Sequence, residues 1–168
     1  MKDTPHGNDG KFLDPVWTAD GSERARVRLS NPQTLWFNTG TLCNIECTNC
    51  YIASSPTNDA LVYLTEADVQ TYLDQLEQRN WEVREIAFTG GEPFMNPAMP
   101  AMARAALAAG YEVLILTNAM RPMMRPRVQD ALLELHAAYP GHLTLRISLD
   151  HYAAPLHDAE RGAGSFQA

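Results

Sequence analysis

The stretch Cys43-Asn44-Ile45-Glu46-Cys47-Thr48-Asn49-Cys50 contains every cysteine of the 168-residue chain. Its spacing is C-x3-C-x2-C, and three thiolates this close in sequence can converge on one soft metal centre. Three cysteines are one ligand short of the four that close a structural zinc or iron–sulfur site. A cluster with three protein ligands keeps one iron open to a substrate or cofactor. The spacing therefore indicates chemistry more than structural support.

Two other interpretations of the cysteines stay open at this point. One is a structural zinc knuckle, although such a site usually recruits a fourth Cys or His nearby and the closest histidine, His6, is remote. The other is three unrelated buried thiols, which behave as small apolar residues. A disulfide framework is disfavoured, because the cysteine count is odd and none lies outside this run.

Composition and charge favour a globular domain and disfavour several partners. Hydrophobic residues make up 45% of the chain, which suits a packed core rather than disorder. The formal net charge is -7, whereas nucleic acids and anionic membranes reward basic surfaces. Residues 1–7 lack an apolar signal region, and no segment approaches the length of a membrane span. We therefore expect a cytoplasmic protein without nucleic-acid or membrane partners.

From Thr34 onward, predicted strands alternate with predicted helices, which is typical of a parallel α/β sheet. The helices show apolar residues at i, i+3, i+4 and i+7, and the strands are short apolar runs. Residues 1–33 are a polar N-terminal extension, in which 16–18 can pair with 25–29 as a hairpin. The predicted strands cover about 34–38, 84–88, 113–116 and 143–148, and the helices about 66–79, 97–109 and 127–138.

Polar motifs follow all four predicted strands at their carboxyl ends. In α/β folds this edge of the sheet binds ligands, so the four motifs predict one coherent site. The motifs are the cysteine run, Gly90-Gly91-Glu92-Pro93, Thr117-Asn118 and Ser148-Leu149-Asp150-His151.

The motif Gly90-Gly91-Glu92-Pro93 has two interpretations. Adjacent glycines suit a plain tight turn, and they also allow backbone groups to approach a ligand closely. Glu92 can either hold this loop or meet an ammonium group. Alone, this motif is a weak signal. It becomes specific when it follows the cysteine run in an alternation of strands and helices.

These motifs together resemble the radical S-adenosylmethionine superfamily. The resemblance rests on Cys43-x3-Cys47-x2-Cys50 after the first strand and on Gly90-Gly91-Glu92-Pro93 after the second, and it covers the chain from about residue 34. It implies a [4Fe-4S] cluster on the three cysteines, whose open iron binds S-adenosylmethionine. It also implies that Gly90 and Gly91 contact the methionine amino group of that cofactor through the backbone.

The resemblance implies further cofactor contacts after the third and fourth strands. Ser148 and Asp150 match polar contacts to the ribose or methionine moiety, and Asn118 is an additional candidate. Many members place an aromatic residue just before the third cysteine, where this chain has Asn49. Tyr51 follows that cysteine instead and either stacks on the adenine or packs in the core.

The chain also departs from the family pattern in length. Family members usually carry a six-strand partial barrel, and only four strands with three crossover helices are predicted here. Residues 162–168 resemble the start of a fourth crossover helix with Ser165 as its N-cap, while His157 is expected in a solvated loop. The predicted fold is therefore a partial (β/α) barrel that is incomplete at the C-terminus. A fragment, one half of a split or dimeric enzyme, and a non-catalytic remnant all remain open.

The leading functional hypothesis is a radical S-adenosylmethionine enzyme, or the cluster-bearing part of one. The resemblance implies a one-electron donor such as flavodoxin or ferredoxin, and an unidentified substrate from which hydrogen is abstracted. An exposed barrel edge predicts a dimer or a complementing half. The alternative is a non-catalytic iron–sulfur or zinc module.

Overall fold

A computed structural model describes residues 14–168, and the chain divides into two compact units at Ser30 and Asn31. The second unit, Asn31–Ala168, contains all of the named helices and strands. Residues 31–33, which were expected to belong to the N-terminal extension, therefore fall in the second unit.

In the N-terminal unit, the predicted hairpin is wrong in its pairing. The described part of this unit has a single antiparallel bridge, between Trp17 and Glu23, and no strand over residues 25–29. Val27 and Leu29 are 93% and 71% exposed. Because this segment buries no apolar face, strand pairing there has little to stabilise it.

The second unit is built on a four-stranded parallel sheet in the order β1-β2-β3-β4, as predicted. A helix crosses over between each pair of consecutive strands, and a short 3-10 turn at Pro93–Met95 precedes the second of these helices. The strands are β1 Thr34–Asn38, β2 Glu85–Thr89, β3 Glu112–Thr117 and β4 Leu143–Ile147, and the crossover helices are α1 Glu66–Arg79, α2 Met99–Ala108 and α3 Pro126–Ala138.

The core lies between the sheet and these three helices. Phe37, Phe88 and Ile115 are aligned across β1, β2 and β3 by the parallel register, and all three are buried. The methionines of α2, Met99 and Met102, are fully buried against the sheet, as their spacing predicted. This packing holds the carboxyl ends of the strands at one edge.

The opposite face of the sheet and its β4 edge are more open. Trp36 is 47% exposed, and Ile147 and Leu149 at the end of β4 are 49% and 60% exposed. Within residues 14–168, β4 pairs only with β3. This agrees with the predicted partial barrel.

The structure adds a helix that was not predicted. Helix α4 covers Ala154–Arg161, with a proline in its first turn, where a missing backbone N–H costs nothing. His157, expected in a solvated loop, is 3% exposed on this helix. Ser165–Gln167 forms only a 3-10 turn, and its N-cap is Gly164 rather than Ser165. None of the helices in residues 14–168 is long and apolar enough to cross a membrane.

Candidate cofactor site

A cavity of about 500 Å³ opens at the carboxyl ends of the strands. All three cysteines line it, and so do all of the predicted cofactor residues except Glu92. The lining residues are Cys43, Ile45, Cys47, Asn49, Cys50, Tyr51, Ser54, Thr89, Gly90, Gly91, Leu116, Thr117, Asn118, Ser148, Asp150, Glu160 and Arg161.

The cysteine run is a compact loop fixed by backbone hydrogen bonds. The Cys43 N–H donates to the Ser55 carbonyl at 3.1 Å, and the Cys50 N–H donates to the Cys47 carbonyl at 3.3 Å. The Ser54 N–H donates to the Cys50 sulfur at 3.2 Å. Cys43 is 6% exposed, whereas Cys47 and Cys50 are half-buried. The three free thiols thus line the cavity from a single loop.

The glycine motif is held directly against the segment that leads into the cysteines. The Gly91 N–H donates to the Gly40 carbonyl at 2.9 Å, and the Glu92 N–H donates to the Leu42 carbonyl at 3.1 Å. A Cβ atom at position 91 would lie 2.1 Å from the Leu42 carbonyl oxygen. Gly90 has a φ of +135°, which L side chains rarely adopt. Both glycines are therefore required for the close approach of these two loops.

Glu92 lies beneath the cavity and joins the glycine motif to the end of β3. It is 2% exposed, and its carboxylate accepts hydrogen bonds from the Phe94 N–H at 3.2 Å, the Thr117 hydroxyl at 2.8 Å and the Asn118 N–H at 2.8 Å. Burial raises the pKa of this carboxyl, and the three donors oppose that shift. These contacts match the interpretation in which Glu92 holds the loop. A contact between Glu92 and a cofactor stays a prediction.

Asn118 lines the cavity and points its side-chain amide toward the cysteine loop. Its Nδ2 donates to Asn44 Oδ1 at 2.9 Å and contacts Cys43 Sγ at 3.8 Å. Its Oδ1 accepts from the Met120 N–H at 3.0 Å. The side chain is thus engaged on both sides by protein groups.

On the opposite side of the cavity, the last turn of α4 holds the cysteine loop. The Asn49 side chain donates to Glu160 Oε2 at 2.6 Å, and the Thr48 N–H donates to the Glu160 carbonyl at 2.9 Å. Arg161 donates to both carboxylate oxygens of Asp150, at 2.5 and 3.3 Å. The sequence reasoning missed Glu160 and Arg161; the signal available for them was the Pro that begins their helix.

The other residues predicted for the site, Ser148, Tyr51 and His151, differ in where they lie relative to the cavity. Ser148 lies at the cavity wall, where its N–H continues the sheet by donating to the Thr117 carbonyl at 2.9 Å. Tyr51 is 76% exposed at the rim, so its core-packing interpretation is wrong. His151 does not line the cavity, and its Nδ1 accepts from the Ala153 N–H at 2.9 Å.

Burial disfavours the charged form of two of the cavity's thiols in the free protein. Burial raises the pKa of the Cys43 thiol. It also raises the pKa of the Cys47 thiol, which is less deeply buried and where the nearby Arg161 opposes the shift. In residues 14–168, no three His, Cys, Asp or Glu side chains are arranged to hold a single metal ion. A four-iron cluster has a different requirement, because each cysteine binds a separate iron.

Comparison with known sequences decides the family. A sequence model of the Radical SAM superfamily matches residues 37–168. The chain belongs to the Radical SAM superfamily. Members of this superfamily bind a [4Fe-4S] cluster and S-adenosylmethionine, the two cofactors that the resemblance implied.

Curated Radical SAM relatives are similar over most of the chain. Mycofactocin maturase MftC of Mycobacterium ulcerans (strain Agy99) is 30% identical over 138 residues, which are 82% of this chain and 34% of the relative. The antilisterial bacteriocin subtilosin biosynthesis protein AlbA of Bacillus subtilis (strain 168) is 33% identical over 125 residues, 74% of this chain and 26% of the relative. The chain thus spans about a third or less of these relatives' length.

Solved structures show the same Radical SAM fold. Streptococcus suis SuiB bound to S-adenosylmethionine matches with a TM-score of 0.64 at 18% identity, covering 80% of this chain and 29% of SuiB. SuiB bound to the precursor peptide SuiA matches with a TM-score of 0.64 at 21% identity, covering 80% of this chain and 28% of SuiB. The shared architecture is the parallel α/β sheet with its helices.

Proposed function

We propose that this chain binds a [4Fe-4S] cluster and S-adenosylmethionine in the cavity and forms the cluster-bearing part of a radical enzyme. The observation that carries this proposal is the convergence of three free thiols and the glycine motif on one cavity at the carboxyl edge of the sheet. Cys43, Cys47 and Cys50 would hold the cluster, which would supply the electron for reductive cleavage of the sulfonium of S-adenosylmethionine and so for hydrogen abstraction from a substrate.

The residues present fit this cofactor pair. Cys43, Cys47 and Cys50 would each bind one iron, and the backbone of Gly90 and Gly91 lies on the same cavity wall. Asp150 and Ser148 place polar groups there, as the family pattern implies. Ile45 and Leu116 add apolar side chains to the same lining.

The donor arrangement favours a cluster over a single zinc ion. A structural zinc ion needs four ligands around one point, usually Cys or His. Among the described residues, three thiols line this cavity without a fourth Cys or His, which suits a cluster whose fourth iron stays open. This argues against the zinc module as the resident centre.

Anaerobic reconstitution with iron and sulfide tests the proposal. We expect about four iron and four sulfide per chain, and formation of 5′-deoxyadenosine when dithionite and S-adenosylmethionine are added. Cys47→Ala should abolish the cluster, while Ser55→Ala, which lies just beyond the cysteine run and does not line the cavity, should retain it. A stable zinc site without cofactor cleavage, or a full cluster in the Cys47→Ala variant, would contradict the proposal.

We propose that the electron comes from a small acidic carrier such as flavodoxin or ferredoxin. A second cavity of about 780 Å³ lies behind the cysteine loop, and Asn44 and Ile45 form part of its wall. Arg121 and Arg125 also line it, and neither has a carboxylate partner among residues 14–168. Glu46 lines the same cavity and offsets part of this charge, so the arginines leave a small local excess of positive charge beside the cysteine loop on a chain of net charge -7. Reduction by flavodoxin should slow in Arg121→Gln/Arg125→Gln, whereas reduction by dithionite should not.

We further propose that additional polypeptide covers the open β4 edge in the working enzyme, as a continuation or a second copy of the chain. Ile147 and Leu149 are apolar and exposed there, and exposed edges readily pair. Light scattering after size-exclusion chromatography separates the cases, because a stable monomer excludes the second copy. A reducing cytoplasm is the compartment we propose, since the three thiols are free.

For the substrate we propose a peptide. AlbA is named for biosynthesis of a bacteriocin, and SuiB has been solved with its precursor peptide SuiA. Transfer of deuterium from a labelled precursor peptide into 5′-deoxyadenosine would support this class. Transfer from a labelled small metabolite, with none from peptide, would contradict it.

A further inference from the structure

The side-chain amide of Asn118 is aimed at a cysteine sulfur rather than at open space. Its Nδ2 lies 3.8 Å from Cys43 Sγ and 2.9 Å from Asn44 Oδ1, so the two amide hydrogens have two acceptors on consecutive residues. A 3.8 Å separation is within the range of an N–H···S hydrogen bond, because sulfur is larger than oxygen. The amide therefore has little donor capacity left for S-adenosylmethionine.

The position of this amide is fixed from beneath by buried groups. The Asn118 N–H donates to the carboxylate of Glu92, which is 2% exposed. The Asn118 Oδ1 accepts from the Met120 N–H at 3.0 Å, which also defines which end of the amide carries the hydrogens. Cys43 itself is 6% exposed, so the contact with its sulfur is screened from water.

We propose that Asn118 is a positioning residue for the metal centre: its amide donates a hydrogen bond to the Cys43 sulfur and stabilises the reduced cluster. The inference rests on the proposed function, because it needs a cluster on Cys43. One-electron reduction adds negative charge that is shared with the cysteine sulfurs and requires no proton. A hydrogen-bond donor on a ligand sulfur favours the more negative state, and such bonds are among the factors that set cluster potentials.

The test is a redox titration of the reconstituted chain, monitored by electron paramagnetic resonance. Asn118→Ala removes the donor, and we expect its equilibrium constant for reduction to fall about tenfold, which is about 59 mV for one electron. Asn118→Leu removes the same donor with an uncharged side chain of similar size, and its potential should also fall. Asn58→Ala is the matched control, because the Asn58 amide holds the Ala53 carbonyl at 2.8 Å in the neighbouring loop and contacts no sulfur.

Three results distinguish the outcomes. Lower potentials in both Asn118 variants, with the Asn58→Ala potential at the parent value, support the inference. A full cluster with an unchanged potential in either folded Asn118 variant overturns it and leaves the proposed function intact. A parent chain that takes up no iron and sulfide overturns the proposed function itself. Circular dichroism establishes folding, and the Leu variant serves where the Ala variant does not fold.

Discussion

The two ends of the cysteine loop are held in different ways. The Cys43 side, comprising residues 40–44, 90–93 and 117–118, is fixed by main-chain hydrogen bonds between loops and by the buried carboxylate of Glu92. The Cys50 side, comprising residues 47–54, 150 and 160–161, has local backbone hydrogen bonds within the loop and a single main-chain bond to α4, and its other contacts are between half-exposed or exposed side chains.

This difference predicts a rigid side and an adaptable side of one cavity. A buried backbone group that loses its hydrogen-bond partner destabilises the fold by its full desolvation penalty. An exposed ion pair contributes only about 1 kcal/mol or less to stability. Cys43, the first of the proposed cluster ligands, is thus held by the fold itself. Cys47 and Cys50, the other two proposed ligands, lie on the part of the wall that is free to adjust.

Gly91→Ala should have the largest effect and tests the rigidity of the Cys43 side. The added Cβ would lie 2.1 Å from the Leu42 carbonyl oxygen, which is backbone and cannot simply rotate away. We expect a loss of about 3 kcal/mol or more in the free energy of unfolding, measured by urea denaturation.

Gly141→Ala is the matched control for this substitution. Gly141 has a φ of +83° and no atom within 4 Å of the added Cβ, so only backbone strain of about 1 kcal/mol is expected. Equal losses in the two variants would show that the close approach of the loops is unimportant, and the contrast between the two sides would then fail.

Glu92→Gln should cost less, about 1–3 kcal/mol, because the amide NH2 cannot accept from the Asn118 N–H. The pH dependence has a definite sign. Burial raises the pKa of Glu92 above its ordinary value of 4.5, so the folded state binds this proton more tightly than the unfolded state. The contribution of the protonated group is complete below pH 4.5 and is lost as the pH rises through the raised pKa.

The stability difference between the parent and Glu92→Gln should therefore narrow as the pH rises from 4.5 toward neutrality. Urea denaturation of both proteins across this interval measures it. A difference that stays constant with pH would mean that the pKa of Glu92 is not raised by folding.

Ser54→Ala should change stability in the opposite direction and tests the Cys50 side. The Ser54 hydroxyl is buried and has no hydrogen-bond partner within residues 14–168. Removing an unpaired buried hydroxyl should stabilise the free protein by about 1 kcal/mol, measured by thermal or urea denaturation.

Ser55→Ala provides the contrast one residue away. The Ser55 hydroxyl accepts from the N–H groups of Thr57 and Asn58, at 3.3 and 3.1 Å, so its removal should destabilise the chain. If Ser54→Ala and Ser55→Ala both lower the free energy of unfolding, the Ser54 hydroxyl is hydrogen-bonded after all. The Cys50 side is then as fully hydrogen-bonded as the Cys43 side.

The same contrast explains how much was predictable from sequence. The strands, the three crossover helices and the edge that gathers the motifs follow from apolar periodicity and from the parallel connection rule. β1 and α1 match their predicted bounds, and the cysteines and Gly90–Gly91 line the predicted cavity. Local spacing carries this information, because each motif directly follows its strand.

The rest depends on contacts between distant residues. Helix α4 is only eight residues long, and the segment in which it begins has the composition of a loop. Its residues Glu160 and Arg161 reach the site only because the chain folds back after β4. The buried role of Glu92 likewise depends on Thr117 and Asn118, 25 and 26 residues further along the chain. No local pattern encodes such pairings.

The Asp150–Arg161 pair should show the smallest effect. Its guanidinium side chain is 16% exposed and its carboxylate side chain 41% exposed, so solvent screens much of the attraction. A double-mutant cycle with Asp150→Asn and Arg161→Gln, measured by urea denaturation, should give a coupling of about 0.2–1 kcal/mol that shrinks at high salt. Such a weak link can re-form around a bound cofactor, because breaking it costs little. A coupling as large as the loss caused by Gly91→Ala would mean that both ends of the cysteine loop are rigid, and the cavity would then have to accept its cofactors without adjustment.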